Sequence, residues 1–173
     1  MSPALSLPSR EDVVAEALTW VGTPYRKNAR VKGAGVDCAT LLFCVYQNCG
    51  LIPKGDEGIF EDERIVPVHQ DWFCHTSEER YLRLVLRYAH CVAETVCARC
   101  IKALPGSLAL TRAVGSRVYN HGGIVLQWPR VLHATGAAAR GVDEADATRH
   151  HLWERQVVTI FDPWMKRESG EPQ

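Results

Sequence analysis

Apolar positions recur at helical spacing through the first half of the chain and at a period of two through much of the second. Val13, Val14, Ala17, Leu18 and Val21 fall on one face and predict a helix from about Glu11 to Trp20. Ser9 followed by Asp12 has the form of an N-terminal cap, and Gly22-Thr23-Pro24 ends the run because proline biases its predecessor away from helix. Cys38, Leu41, Leu42, Val45 and Cys49 share a second helical face, with Asp37 able to cap it and Gly50 to stop it. A third stripe, Leu82, Val85, Ala89, Val92 and Val96, predicts a helix from Ser77 to about Ala103, closed by Pro105-Gly106. Between these last two helices, Leu51 to Thr76 carries proline, glycine and an acidic cluster with weak periodicity, and reads as irregular surface chain.

Beyond Gly106 the alternation predicts strands at Ser107 to Thr111, Gly122 to Gln127, Arg130 to Thr135 and Gln156 to Phe161. Helices first and strands afterwards imply an α+β domain whose N-terminal helices pack on a mostly antiparallel sheet. The expected organisation is an N-terminal extension over 1–10, a single domain over 11–165 and a flexible tail over 166–173.

Composition narrows the function classes. Twenty Lys plus Arg balance twenty Asp plus Glu, so no cationic excess is available for nucleic acid. The longest apolar run, Leu41 to Tyr46, is far below the roughly 20 residues of a membrane-spanning helix, and no membrane partner is expected. The first residues lack a basic leader and a sustained apolar stretch, which makes the cytoplasm the expected location. Seven cysteines cannot all pair within one chain, so at least one thiol is free.

Cys38 differs from the other six. It lies in or beside the first turn of a helix, after a Gly-rich approach and an Asp, where free backbone donors and the helix dipole favour thiolate and should lower its pKa. Asp37 opposes this by charge, and either fixes the turn that presents the sulfur or contacts substrate. A thiolate nucleophile needs an imidazole to take and return a proton, and the imidazole needs an orienting partner. His121 and His133 lie on the two arms of a hairpin turning around Trp128-Pro129, and they share a face if they stand directly opposite or two residues apart. Gly122 and Gly123 remove side chains where a helix would have to approach the sheet.

AEALTWVGTPY, GVDCATLLFCVY and GLIP between Ala15 and Pro53, with PGSLAL, NHGGIVL and VLHAT further on, resemble the NlpC-type cell-wall cysteine peptidases, particularly their phage-associated branch. The resemblance covers about Val13 to Phe161. It implies a papain-like fold in which Cys38 attacks an amide, His121 acts as base and then acid, His133 orients His121, and Tyr25 adds a hydroxyl near the oxyanion beside the Cys38 backbone donor. It also implies peptidoglycan stem peptides as substrate, typically cut between D-γ-glutamyl and a diamino acid; no cofactor and no metal are expected. Asp37, Ala39, Arg26 and Gly122 are the expected substrate-side positions, Arg26 opening a basic loop to Lys32 that could meet substrate carboxylates or stay a solvated face.

Three positions depart from the family pattern. The usual Ser-Gly after the catalytic cysteine is Ala39-Thr40, and the usual Asp after Pro-Gly is Ser107. Ala39 and Thr40 motivate one alternative, a catalytically silent tail-assembly or interaction module; an acyl or amide transferase using the same Cys-His-His set is a further one. Phage tail proteins are the macromolecular partners the resemblance suggests. Cys97 and Cys100, near His90 and Cys91, are read as helix packing rather than a zinc site, and His150-His151 as exposed.

Overall fold

The computed structural model describes residues 7–54, 79–136 and 141–168; the segment expected to be irregular lies mostly outside them, as do His69, Cys74 and His75. Helix α1 spans Arg10–Leu18, capped by Ser9, whose hydroxyl accepts from the Asp12 amide while the Asp12 carboxylate accepts from the Ser9 amide. A two-stranded ribbon, β1 (Arg30–Val31) and β2 (Gly35–Val36), leads to helix α2 (Cys38–Asn48). Helix α3 (Arg80–Tyr88) and strand β3 (His90–Thr95) follow. After them come β4 (Leu108–Thr111), β5 (His121–Gln127), β6 (Arg130–Thr135), β7 (Gly141–Asp146), β8 (Val158–Asp162) and helix α4 (Pro163–Glu168).

Strands β3 to β8 form one antiparallel sheet in the order β3-β8-β4-β5-β6-β7. Direct partners across a ladder share a face. Leu108, Ile124 and Leu132 therefore point together into the core beneath α1, α2 and α3. Ala109, Val125, Val131 and Ile160 face the other way, into a second core closed by Trp153 and Ile101. The result is an α+β domain with its helices on one side of an antiparallel sheet.

The expected helix from Ser77 to Ala103 is not continuous. It ends at Tyr88, Ala89 is extended (φ −144°, ψ 152°), and His90–Thr95 pairs with β8 as the sheet edge. Val92 and Val96 of the presumed apolar stripe are exposed. Helical spacing over those residues was coincidental, and β-branched residues beside an open ladder took the strand that β8 offers. Cys97 consequently caps, and Cys100 ends, a 3₁₀ turn after that strand instead of packing within a helix. Strand β7 was not foreseen because it is a polar edge, with Val142 and Ala145 the apolar side chains it buries. Helix α4 runs into the stretch expected to be tail; 169–173 lie outside the described residues.

The two ends of the domain are clasped. Arg10 donates to Asp162 at 2.6 Å and lies over the Trp164 ring, 4.3 Å from its centroid. The Trp164 indole donates to the Pro8 carbonyl at 2.9 Å. Among the described residues no helix is long and apolar enough to cross a membrane.

Candidate functional site

The site begins at the first turn of α2. Asp37 is its N-cap: Oδ1 accepts from the amides of Ala39 (3.0 Å) and Thr40 (2.9 Å) and from the Thr40 hydroxyl (2.9 Å). Oδ2 accepts from the Asn28 amide at 2.6 Å, in a loop where Asn28 adopts φ +58°. The carboxylate is thus engaged on both oxygens. Thr40 completes a capping box, its hydroxyl meeting the Asp37 amide at 3.0 Å, so the threonine that departs from the family pattern strengthens the turn that presents Cys38.

Cys38 is half-buried as a residue, and its sulfur meets β5 where that strand begins. Its thiol donates to the Asn120 carbonyl at 3.9 Å, and the Gly122 amide lies near enough to favour its thiolate, so the two backbone groups bracket His121 along the strand. Gly122 permits the approach: a Cβ there would sit 2.5 Å from the Tyr81 hydroxyl and 3.1 Å from Leu42. The expectation of a lowered thiol pKa is reversed. Burial, followed by the Asp37 charge, pushes it up to about 12 against the pull of the amides of Gly122, Ala39 and Cys38 itself. The dipole of a helix terminus does not outweigh desolvation of a sulfur enclosed between helix and sheet.

His133 stands opposite Gly123 in the β5–β6 register, two residues from His121 on one face. The two imidazoles meet, His121 Nε2 lying 2.8 Å from His133 Nδ1, with ring planes at 76°. Burial drives the His121 pKa well below its usual value, helped by His133, His150 and His151. His133 falls to about 4, again chiefly through burial, with His150 and His151 adding to the fall and Asp143 opposing it. Both rings are therefore neutral near pH 7.

Three contacts were not anticipated. The Tyr81 hydroxyl donates to the Cys38 carbonyl at 3.1 Å, bringing α3 onto the site. The Trp153 indole donates to His133 Nδ1 at 3.3 Å. His150, expected to be exposed beside His151, is half-buried with its ring centroid 4.8 Å from that of His133. No local pattern marks these residues, because each acts through a partner distant in sequence.

Tyr25 is half-buried, bridged to Val36, and its ring lies against Gly136. Its hydroxyl is held in the protonated form chiefly by burial, with the Asp37 charge adding to it. Ala39 lines an apolar pocket with Leu42, Tyr81 and Leu84 between α2 and α3. The exposed Arg26 folds its aliphatic stem over Gly35. Elsewhere in the basic loop the charges turn back onto the helices. Arg30 covers the Phe43 ring, and Lys32 binds Glu16 at 3.0 Å. Among the described residues no group of three or more His, Cys, Asp or Glu is placed to hold a metal ion.

No family model matches the sequence, and no curated protein matches it either. Solved structures do match by shape. The NlpC/p60 domain of the peptidoglycan hydrolase SagA aligns with a TM-score of 0.51 at 17% identity, over 88% of this chain and 97% of that one. An NlpC/P60 family protein from Bacillus cereus ATCC 10987 aligns at 0.58 and 16% identity, over 90% of this chain and 40% of its own. NlpC2 from Trichomonas vaginalis aligns at 0.60 and 13%, over 94% of this chain and 48% of its own. The chain thus spans nearly the whole SagA domain but less than half of the other two proteins. It has the NlpC/p60 fold.

Proposed function

We propose that this protein is a cysteine peptidase of NlpC/p60 type that hydrolyses an amide bond in peptidoglycan stem peptides. One observation carries the reading: in an NlpC/p60 fold, a helix-start cysteine lies against the backbone on either side of a histidine that is itself paired at 2.8 Å with a second histidine. The SagA domain, similar over nearly its full length, is described as part of a peptidoglycan hydrolase.

The chemistry starts from a neutral thiol and a neutral imidazole. His121 Nε2 is taken by His133, so the thiol proton passes to His121 Nδ1 as the sulfur bonds to the scissile carbonyl carbon. The Cys38 amide and the Tyr25 hydroxyl donate to the oxyanion that forms, and each such donor contributes about 3 kcal/mol. The C–N bond then breaks as imidazolium returns the proton to the leaving amine. Water, deprotonated by His121, cleaves the thioester. A low basicity for His121 makes imidazolium a strong acid toward the leaving amine, and the raised thiol confines sulfur ionisation to the moment of attack.

The bond between D-γ-glutamyl and a diamino acid is the proposed target, and delivery to the wall by assembly into a phage tail the proposed route from the cytoplasm. Incubation of purified muropeptides with wild type and Cys38→Ala, followed by mass spectrometry, tests activity and bond together. Cleavage at that bond, lost in the variant, is the expected result. Undiminished cleavage in Cys38→Ala removes the nucleophile.

The thiol's bond to the Asn120 carbonyl, in place of an imidazole, favours one second reading: a silent interaction module that keeps the fold. In that case muropeptides stay intact and a substrate-like acyl electrophile leaves Cys38 unlabelled.

A further inference from the structure

Trp153 has no sequence motif around it, yet it is a fully buried residue in contact with both histidine rings, its ring centroid 5.3 Å from that of His121 and 6.1 Å from that of His133. Its seat is built from two sides. The turn after β7 hangs from Asp146, whose carbonyl accepts from the amides of Arg149 and His150, and the Trp153 amide closes on the His150 carbonyl at 2.9 Å. Beneath the ring, Gly123 leaves the room: a Cβ there would lie 3.2 Å from Trp153 Cζ2.

An indole N–H can donate and cannot accept. Its partner at 3.3 Å is Nδ1 of His133, and the same nitrogen lies 2.8 Å from His121 Nε2. With two neighbours converging on one ring nitrogen and one of them bound to be a donor, that nitrogen is the lone pair of a neutral His133 whose proton is on Nε2. The 2.8 Å contact then needs its hydrogen from His121. That places the His121 proton on Nε2 and leaves Nδ1 as its basic atom. The opposite arrangement would aim the indole N–H at another N–H and strand a buried donor without an acceptor.

We propose that Trp153 is a positioning residue that sets the tautomers of the histidine pair, so that His121 presents an unprotonated Nδ1. The assignment of tautomers stands on these contacts alone; its consequence for catalysis rests on the peptidase reading above. Through His133, the indole selects which nitrogen of His121 can accept a proton from the thiol.

The test reads the tautomers directly. Long-range ¹H–¹⁵N correlation spectra of the full chain with ¹⁵N-labelled histidine, at a pH well above 6.5, show both His121 and His133 protonated on Nε2. Trp153→Phe keeps an aromatic ring and removes the donor. Its spectra show Nδ1–H forms gaining on the wild-type preference by about tenfold. Muropeptide kcat falls by a similar factor with KM within about twofold, and the acid limb of the rate profile moves to higher pH because His133 Nδ1 has lost one of the two donors that oppose its protonation. That limb also feels His121 on β5, Asp143 on β7, and His150 and His151 on the turn, all unchanged in the variant. Should Trp153→Phe fail to fold, 3-benzothienylalanine at position 153 replaces N–H by sulfur in nearly the same shape. An Nδ1–H form of either histidine as the main species in wild type overturns the proposal, as do unchanged tautomers in both donor-free variants. A wild type inert toward muropeptides while its spectra show the expected tautomers counts against the peptidase reading and leaves the tautomer assignment standing.

Discussion

Asp37 ties Asn28 to the helix that carries the nucleophile: one carboxylate oxygen holds the first turn of α2, and the other holds the Asn28 amide at 2.6 Å. One side chain therefore fixes both the cap and the loop from Arg26. Asp37→Ala loses both and should lower stability by about 1–2 kcal/mol. Asp37→Asn keeps an acceptor for the helix but turns an N–H₂ or a weaker acceptor toward Asn28, and should fall between. Chemical denaturation of the three proteins gives the order, and equal stability of Asp37→Ala and wild type would refute the shared anchor.

Gly122 is where α2 and α3 close on the sheet. Gly122→Ala places a methyl 2.5 Å from the Tyr81 hydroxyl and 2.8 Å from a Leu110 methyl, an overpacking that should cost about 1–3 kcal/mol. Adding Tyr81→Phe removes the closer obstacle and should recover part of the loss. The double-mutant cycle measures this coupling, and strict additivity would show that Tyr81 is not what the methyl meets.

Stability should depend on acid through the buried imidazole. An unfolded His133 takes a proton near pH 6.5, whereas the folded ring resists until about pH 4. The unfolded chain binds more protons in that window, so stability falls as pH drops from about 6.5 to about 4, by about 3 kcal/mol for this residue alone. His133→Asn should flatten the slope of unfolding free energy between those limits. The same slope in variant and wild type would rule out His133 as the source.

Thiol reactivity should rank against the order that helix position suggests. Cys38 is pushed up to about 12, while the Cys97 thiol is lowered by a hydrogen bond from Cys100. At neutral pH a small alkylating reagent should label Cys97 before Cys38, and the Cys38 rate should keep rising to high pH. Peptide mapping after timed alkylation checks the order. The sign for stability follows. An unfolded thiol ionises near pH 9 and the folded one near 12, so stability contributed at Cys38 is lost as pH rises between them, and Cys38→Ala abolishes that loss.

The start of α2 and the β5–β6 hairpin were legible because their signals are local. Asp37 caps, the apolar residues after Cys38 repeat at helical spacing, and the period-two runs on either side of Trp128-Pro129 allow few registers. The two-residue offset of His121 and His133 was one of the two shared-face arrangements expected. Strand β3 was not legible, since its residues fit a helical stripe equally well and the choice was made by the open edge of β8. The thiol's raised pKa was missed for a similar reason. It depends on enclosure by Gly122 and its neighbours, which no stretch around Cys38 encodes. Trp153 and Tyr81 reach the site across 20 and 43 residues of chain to His133 and Cys38, separations at which spacing carries no information.

The clasp between Arg10, Asp162, Trp164 and the Pro8 carbonyl brings the entry and exit of the domain side by side. A unit that begins and finishes at one point behaves as a plug-in cartridge. It can be spliced into a loop of a larger polypeptide, or joined to a carrier at either terminus, with the host backbone parted by little more than the width of the joint and the folded body left undisturbed.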